Sequence, residues 1–312
     1  MRLLVQAACF FLLLYGGFAV EALAGVQSGD KPPPGRVELV ERAPTSTPLY
    51  LPVTTCIYQK KGLCRGCSLY YLTEALVWRH PVERWLPYGL VLIFLMLLLG
   101  RLWCGWVCPL GFLSDLLTRA RLALHLPQLR LSPAVRDGLV WTKYILLALV
   151  LGLAALAGWP GMEGVRNDLM DPFCQICPTR VFAPLFTFDT VCWTNFASPA
   201  GVVFTLLGLL AFGLFFGGLA VRRFWCRLCP IGGLSALFNR SGLVSLVKDA
   251  RRCTRCGACA RSCPLDVRRV FEGRGRKAVT AFECHLCLRC VEACPEPGCL
   301  QFQWLGKRVS GK

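Results

Sequence analysis

Three interior stretches are apolar at almost every position over the length a helix needs to cross a bilayer. Trp85 to Trp103 is broken only by Arg101, Leu139 to Trp159 carries one charge at Lys143, and Gly201 to Val221 carries none. About 20 such residues span the hydrocarbon core, so each stretch predicts a transmembrane helix. Lys143 sits near a helix start, where it is expected to snorkel to the interface. A fourth apolar run, Leu3 to Val20, follows Arg2 and ends at Ala22-Leu23-Ala24. That pattern predicts either a cleaved signal peptide over 1–24 or an uncleaved anchor. Residue 25 onward is outside in both cases.

Elsewhere the pattern changes. Asp30 to Pro52 is rich in Pro, Thr and Ser and predicts an extended external linker. Leu110 to Leu126 has apolar positions at helical spacing with Asp115, Arg119 and Arg121 among them, which predicts an interfacial helix. Basic residues orient the spans: 6 lie from Arg101 to Lys143, 2 from Pro160 to Ala200, and 18 after Val221. The positive-inside rule puts 104–138 and 222–312 in the cytoplasm, and 25–84 and 160–200 outside, although 25–84 also carries 8 basic residues. The expected fold is an α-helical multi-pass membrane protein of three to four spans, with an external segment over 25–84 and a membrane domain over 85–245. Residues 246–312, in which Cys253, Cys256, Cys259 and Cys263 and again Cys284, Cys287, Cys290 and Cys294 stand at C-x2-C-x2-C-x3-C spacing, are expected to form a C-terminal α+β two-cluster bacterial ferredoxin domain.

Composition agrees. Hydrophobic residues make up 55% and charged residues 17%, against about 25% charged in soluble domains, so neither an all-soluble fold nor disorder fits. The net charge of +17 is largely a topology signal. Its basic residues are interleaved with cysteines beside a membrane, which argues against nucleic acid and for acidic carriers or lipid head groups. The chain has 20 cysteines and 3 histidines, which leaves little room for a multi-haem protein or a zinc–histidine enzyme. Cys253, Cys256, Cys259 and Cys263 are spaced C-x2-C-x2-C-x3-C before Pro264, and Cys284, Cys287, Cys290 and Cys294 repeat that spacing before Pro295. In this bacterial 4Fe–4S run the fourth cysteine ligates the other cluster. One cluster is therefore expected on Cys253, Cys256, Cys259 and Cys294, the other on Cys284, Cys287, Cys290 and Cys263, with zinc or disulfides as the rival readings. Cys299 lies beyond the pattern.

The membrane part carries an internal repeat. Arg101-Leu-Trp-Cys104-Gly-Trp-Val-Cys108-Pro109 corresponds to Arg223-Phe-Trp-Cys226-Arg-Leu-Cys229-Pro230, each after a span. A second pair of motifs, Cys64/Cys67 and Cys174/Cys177, precedes the spans on the outer side. The intervening Leu139–Trp159 span makes the copies parallel. Cysteines three or four apart share a helix face, so Cys104, Cys108, Cys226 and Cys229 are expected to supply four thiolates for a third cluster, with Pro109 and Pro230 opening the following helices. A dithiol or a zinc site is the alternative there. Cys64, Cys67, Cys174 and Cys177 are expected to hold either a fourth cluster or disulfides, with Cys56 and Cys192 as rival partners. Cys9 is left over.

The residues Arg101, Trp103, Cys104, Trp106, Cys108 and Pro109, the second motif at Cys226, Cys229 and Pro230, and the trailing ferredoxin runs together resemble the membrane polyferredoxins. These are proteins of the NapH, MauN and NosR C-terminal type, and the resemblance covers roughly 85–300. It implies a bacterial or archaeal cytoplasmic-membrane protein that passes electrons between the quinone pool, soluble carriers and a redox enzyme, as part of a membrane redox complex. The chain departs from the family in three ways. Two residues rather than three separate Cys226 from Cys229, the outer pairs lie outside the general pattern, and no flavin-attachment domain is present. The expected function is single-electron transfer rather than stand-alone catalysis. The alternatives are a transmembrane thiol–disulfide relay, motivated by the outer C-x-x-C pairs, and a maturation factor that reduces a metal ion for a respiratory enzyme. No Walker A, G-x-G-x-x-G, G-x-S-x-G or C-x-x-C-H sequence occurs. His80, His125 and His285 read as ordinary surface or interface side chains.

Overall fold

The computed structural model describes residues 2–24, 47–56, 63–78, 81–129, 131–162, 166, 169, 172–187, 199–239 and 243–310. Its elements, in chain order, begin with α1 (Arg2–Ala24), β1 (Thr47–Leu51), β2 (Cys64–Cys67), α2 (Ser68–Trp78), α3 (Val82–Leu99), α4 (Leu102–Trp106), α5 (Pro109–Ala123) and α6 (Pro133–Ala157). They continue with α7 (Pro172–Ile176), α8 (Thr179–Thr187), α9 (Pro199–Phe216), α10 (Phe224–Leu228), α11 (Pro230–Phe238), β3 (Val244–Asp249) and α12 (Ala258–Ser262). The last are α13 (Arg269–Glu272), β4 (Arg276–Ala278), α14 (Arg289–Glu292), β5 (Leu300–Trp304) and β6 (Lys307–Ser310). The chain divides into two compact units, Met1–Tyr88 with Ala148–Phe216, and Gly89–Leu147 with Gly217–Lys312.

In the first unit β1 and β2 pair in parallel, Leu51 opposite Cys67. Tyr50 packs on Tyr71 with ring centroids 4.8 Å apart, and the Tyr71 hydroxyl donates to the Trp85 carbonyl. Ala154 and Ala157 of α6 close on Val77 of α2. Phe182 of α8 meets Phe212 and Phe215 of α9 at 4.9 and 4.8 Å.

The second unit holds an antiparallel sheet in the order β4-β3-β5-β6. Alternate residues of β3 and β5 face inward, so Val244, Leu246, Leu300 and Phe302 form a core with Val270 and Val291. The cysteine loops are mounted on this core.

Among the described residues, two helices are long and apolar enough to cross a membrane: Pro133–Ala157, and Pro199–Leu219 including the 3-10 turn that extends α9. Only 22% and 28% of their apolar windows are buried, so their outer faces need an apolar medium. The stretch expected as a span over Trp85–Trp103 stops as a helix at Leu99, leaving Trp85–Leu99 as a shorter apolar helix. Gly100 turns there with φ 52, and the chain is recaptured where Arg101 N donates to Asn239 Oδ1 at 3.1 Å. The expected N-terminal run is α1, whose apolar part is Arg2–Gly17. One local expectation is corrected: Lys143 does not snorkel but is fully buried. On α5 Asp115 and Arg121 are buried, while Leu116 and Leu122 are 48% and 58% exposed.

Candidate functional site

Each ferredoxin run folds as an irregular loop closed by one short helix, α12 in the first and α14 in the second. Left-handed backbone recurs at matching places, Arg255 (φ 55) and Gly257 (φ 73) in one run, Leu286 (φ 48) and Leu288 (φ 59) in the other. A non-glycine residue pays about 1–2 kcal/mol for this conformation. It bends the loop away from the helical path that cysteines three apart would otherwise follow. Two cavities result, each partly open to solvent. One, of about 320 Å³, is lined by Cys253, Cys256, Cys259 and Cys294, together with Cys299. The other, of about 460 Å³, is lined by Cys263, Cys284, Cys287 and Cys290. Each cavity gathers the four thiols that the spacing assigns to one cluster, and Cys259 borders both. Burial pushes the Cys284 thiol up to about 12. Such a buried thiol stays protonated at neutral pH, and a bound metal is what draws the proton off.

The inner cysteines are arranged differently from the shared helix face expected of them. Cys104 lies on α4 and Cys226 on α10, but Cys108 and Cys229 have extended backbone, with φ −62 and ψ 124 and 119. The cause is the next residue, since a proline disfavours the helical conformation at the position before it. The helix therefore ends at the second cysteine, and Pro109 or Pro230 starts the next one at its first turn. The extra residue of the first motif, Val107, caps α4. In both copies a glycine tucks under the first turn: a Cβ on Gly111 would stand 2.7 Å from the Cys104 carbonyl oxygen, and one on Gly232 would be 3.7 Å from that of Cys226. Helix α10 packs against α5, and the Cys226 thiol lies in electrostatic reach of Cys104 and Cys108, its own burial pushing it up to about 12. Lys143 lies in reach of Cys229.

A buried polar network holds this region to the ferredoxin loops. Arg101 and Arg223 open the two copies, and both side chains are fully buried. Arg223 clasps Asp115 with two bonds, at 3.1 and 2.8 Å, and Asp115 takes a third from Arg289 at 3.1 Å. Arg101 reaches Glu283 at 3.0 Å and the Phe282 carbonyl at 3.1 Å, and Lys143 pairs with the same Glu283. His285 stands between the two arginines, with Arg101 2.9 Å from Nε2 and Arg223 2.9 Å from Nδ1. A neutral imidazole accepts at only one ring nitrogen, so the two guanidiniums share a single acceptor. Burial and these neighbouring cations hold His285 well below the usual histidine range. His285, expected as an ordinary surface or interface residue, is thus a buried centre of the network. Its roles, and those of Asp115 and Glu283, were not visible in the sequence, because their partners lie 62 to 184 residues away.

Beyond the arginines that meet His285, the two copies also reach different ferredoxin runs. Trp106 donates to the Leu286 carbonyl at 3.2 Å, while Arg227 donates to the carbonyls of Leu265 and Pro264 at 3.2 and 3.1 Å and to Asp266 at 2.7 Å. Contact at α4 is closest at Gly105, where a Cβ would lie 2.5 Å from the His285 carbonyl oxygen. Since that neighbour is backbone, Gly105→Ala is expected to force the loop away from α4, at a cost of about 1–3 kcal/mol. A lowered midpoint in thermal unfolding followed by tryptophan fluorescence checks this.

The outer cysteines belong to the first unit. Cys67 ends β2, and Cys174 lies on α7, which packs against α2. Helix α7 ends at Ile176, one residue before Cys177, and Pro178 follows. This repeats the Cys226–Pro230 device, a likeness legible in the sequence as C-x-x-C-P but missed there. Cys67, Cys174, Cys177 and Cys56 are buried. Cys64 falls in strand β2, Cys9 lies on α1, and Cys192 falls outside the described residues.

Comparison with known proteins bears on the same segments. The profile of a 4Fe-4S binding domain matches residues 85–127 and 201–251, and that of a 4Fe-4S dicluster domain matches 245–295. The two segments matched by the first profile contain the two inner cysteine motifs. The chain is 32% identical to the regulatory protein NosR of Pseudomonas aeruginosa, over 62% of this chain and 24% of NosR. It is 29% identical to the ferredoxin-type protein NapH of Escherichia coli, over 67% of this chain and 64% of NapH. It is also 27% identical to the putative electron transport protein YccM of Escherichia coli, over 67% of this chain and 53% of YccM. The chain is similar to the membrane polyferredoxins, and these matches support a polyferredoxin-like family for it. It spans about a quarter of NosR and half of YccM. No solved structure matches the chain.

Its residues suit the 4Fe–4S clusters that these profiles imply. The donor set in each ferredoxin cavity is four soft thiols, the complement of one cluster. Arg101, Arg223 and Lys143 lie in reach of the inner thiols, and among the described residues they and the neighbouring Arg227 and Arg289 pair with three carboxylates, Asp115, Glu283 and Asp266. That surplus of positive charge matches a centre held by four anionic thiolates.

Proposed function

We propose that the protein is a membrane-bound iron–sulfur electron-transfer subunit. It passes single electrons between the quinone pool or soluble carriers and a partner redox enzyme. The observation that carries this reading is the pair of cavities, each gathering one four-thiol set, in the same unit as the inner cysteines. In this reading Cys253, Cys256, Cys259 and Cys294 hold one cluster and Cys263, Cys284, Cys287 and Cys290 the second. Cys104, Cys108, Cys226 and Cys229 hold a third, and Cys64, Cys67, Cys174 and Cys177 a fourth. When bound, each 4Fe–4S cluster takes up and gives back one electron.

The chain's own residues do the rest. Cys259 borders both ferredoxin cavities, and Arg223 lies in electrostatic reach of Cys226 on one side and Cys287 on the other. The three sets of thiols in this unit therefore stand in series. Asp115, Glu283 and His285 fix the two arginines, and those arginines balance the thiolates. Leu246, Val270 and Leu286 wall the second cavity with apolar side chains and limit water there. The reading also counts α1 and α3 with α6 and α9 as membrane spans and places the ferredoxin domain on the cytoplasmic side. Leu90 and Phe94 of α3, 57% and 60% exposed, support the count, and the basic tail supports the orientation. The Cys177–Pro178 device favours ligands over disulfides at the outer pairs.

Iron and acid-labile sulfide per chain, measured on protein purified anaerobically in detergent, test this assignment. About 16 iron atoms are expected for four clusters and about 12 if the outer thiols hold none. A value near 8 removes the inner cluster and favours a thiol relay.

A further inference from the structure

The two cysteine runs match in spacing and in backbone, yet their faces meet different surroundings. In the second run His285 and Leu286 are buried, at 2% and 1% exposure, under Gly105 and Trp106 of α4. The matching positions of the first run are Thr254 and Arg255, and both are exposed. The difference extends to the segments that follow. Arg227 of α10 covers Pro264 and Leu265 after the first run, while Pro295 and Pro297 after the second are exposed. One face of the ferredoxin domain is thus permanently filled by the rest of its unit, and the equivalent face is open.

The open face has the features of a transfer port. Cys256 lies on it and is the one exposed cysteine among the described residues, so the first cavity comes nearest to solvent there. Its chemistry is basic instead of apolar. Residues 250–265 carry Arg251, Arg252, Arg255 and Arg261, all exposed, and no acidic residue. Arg261 donates to the Cys256 carbonyl at 2.8 Å, which sets its charge beside that cysteine. Permanent interfaces are apolar at their centre. A partner that must arrive quickly and leave after each transfer is better served by complementary charge, which raises the on-rate without demanding tight binding.

We propose that this face, centred on Cys256, is the docking site of a soluble one-electron carrier protein with an acidic surface. The proposal rests on the electron-transfer reading above and names its soluble partner class. In each encounter the carrier gives up one electron and this protein takes up one. No bond forms or breaks, and no proton is transferred. Lipid head groups would also attract the arginines, but a bilayer seated there would cover the port.

Stopped-flow reduction of the full-length protein by fully reduced (hydroquinone) flavodoxin, an acidic carrier that gives up one electron to become its semiquinone, tests this. The protein is held in phosphatidylcholine nanodiscs, and the rate is read across a salt series. The second-order rate is expected to fall steeply with salt. Arg251→Glu with Arg255→Glu is expected to lower it about tenfold or more at low salt, with iron content and reduction by dithionite unchanged. Lys307→Glu with Arg308→Glu makes the same change in net charge on β6 and is expected to have a much smaller effect. Equal effects from the two double variants, or a rate indifferent to salt, would overturn the proposal. It is equally overturned if phosphatidylglycerol in the nanodiscs suppresses the rate and the Arg251/Arg255 reversal relieves that suppression, since lipid would then own the face. Failure of dithionite to reduce the protein would instead strike the electron-transfer reading itself.

Discussion

Replacing Cys104 and Cys226 together with alanine is expected to remove about four iron atoms per chain while the signals of the two ferredoxin clusters persist. Each copy of the membrane repeat then loses the cysteine on its short helix, leaving Cys108 and Cys229 at the helix starts, and two thiolates cannot retain a four-iron centre. The ferredoxin sets stand on the β3–β5 core and contain neither residue, so they are expected to load normally. Iron and sulfide analysis, with electron paramagnetic resonance of the dithionite-reduced protein, reads both halves of this expectation. Unchanged iron in the double variant sinks the inner assignment. Single variants at Cys108 or Cys229 are expected to give the same loss, because all four thiols serve one centre.

The second large effect is expected at Arg223. Its side chain is fully buried and its partner Asp115 is 3% exposed. Arg223→Ala leaves that carboxylate with Arg289 alone, and breaking a buried pair this way costs about 3–5 kcal/mol. The backbone adds to the loss, since Arg223 holds φ 49 and alanine would keep that strain without the contacts that offset it. Arg223→Lys is expected to recover little, because an ammonium cannot clasp Asp115 with two bonds and also reach Nδ1 of His285. Arg223→Leu combined with Asp115→Leu removes both charges and is expected to recover more stability than either single change. Thermal unfolding in detergent, followed by tryptophan fluorescence, ranks the four proteins. If Arg223→Ala matches the parent, the network is not what fixes the ferredoxin loops.

These two sites also mark what the sequence discloses. The grouping of the ferredoxin cysteines about two cavities was legible because its information is local: eight cysteines at fixed spacing, each fourth one before a proline. Pro109 and Pro230 were legible as helix starts for the same reason. Their effect on the preceding cysteines was open to the same reasoning, yet helical spacing alone suggested a shared face. Lys143 was misjudged for a physical cause. A lone charge in an apolar stretch looks like one that must escape to water, and only the fold reveals Glu283 as the partner that lets it remain inside. Asp115 looked like the polar side of an amphipathic helix until Arg223 and Arg289 were seen to face it. Periodicity reports which residues are apolar. It does not report which distant charges neutralise one another.

The order in which the network's members occur along the chain has a consequence for biosynthesis. Synthesis runs from the N-terminus, so Arg101, Lys143 and Arg223 leave the ribosome well before Glu283 and His285. When Arg223 emerges, Asp115 is the only one of Asp115, Asp266 and Glu283 already made, and until Glu283 follows the apolar pocket around the inner cysteines cannot close without stranding Arg101 and Lys143. A later segment therefore completes a region made earlier, and a chain that terminates before residue 283 lacks the countercharge for Arg101 and Lys143. Such a product would leave Arg101 and Lys143 without countercharges in apolar surroundings, a defect by which the cell's quality-control proteases could distinguish unfinished chains from finished ones.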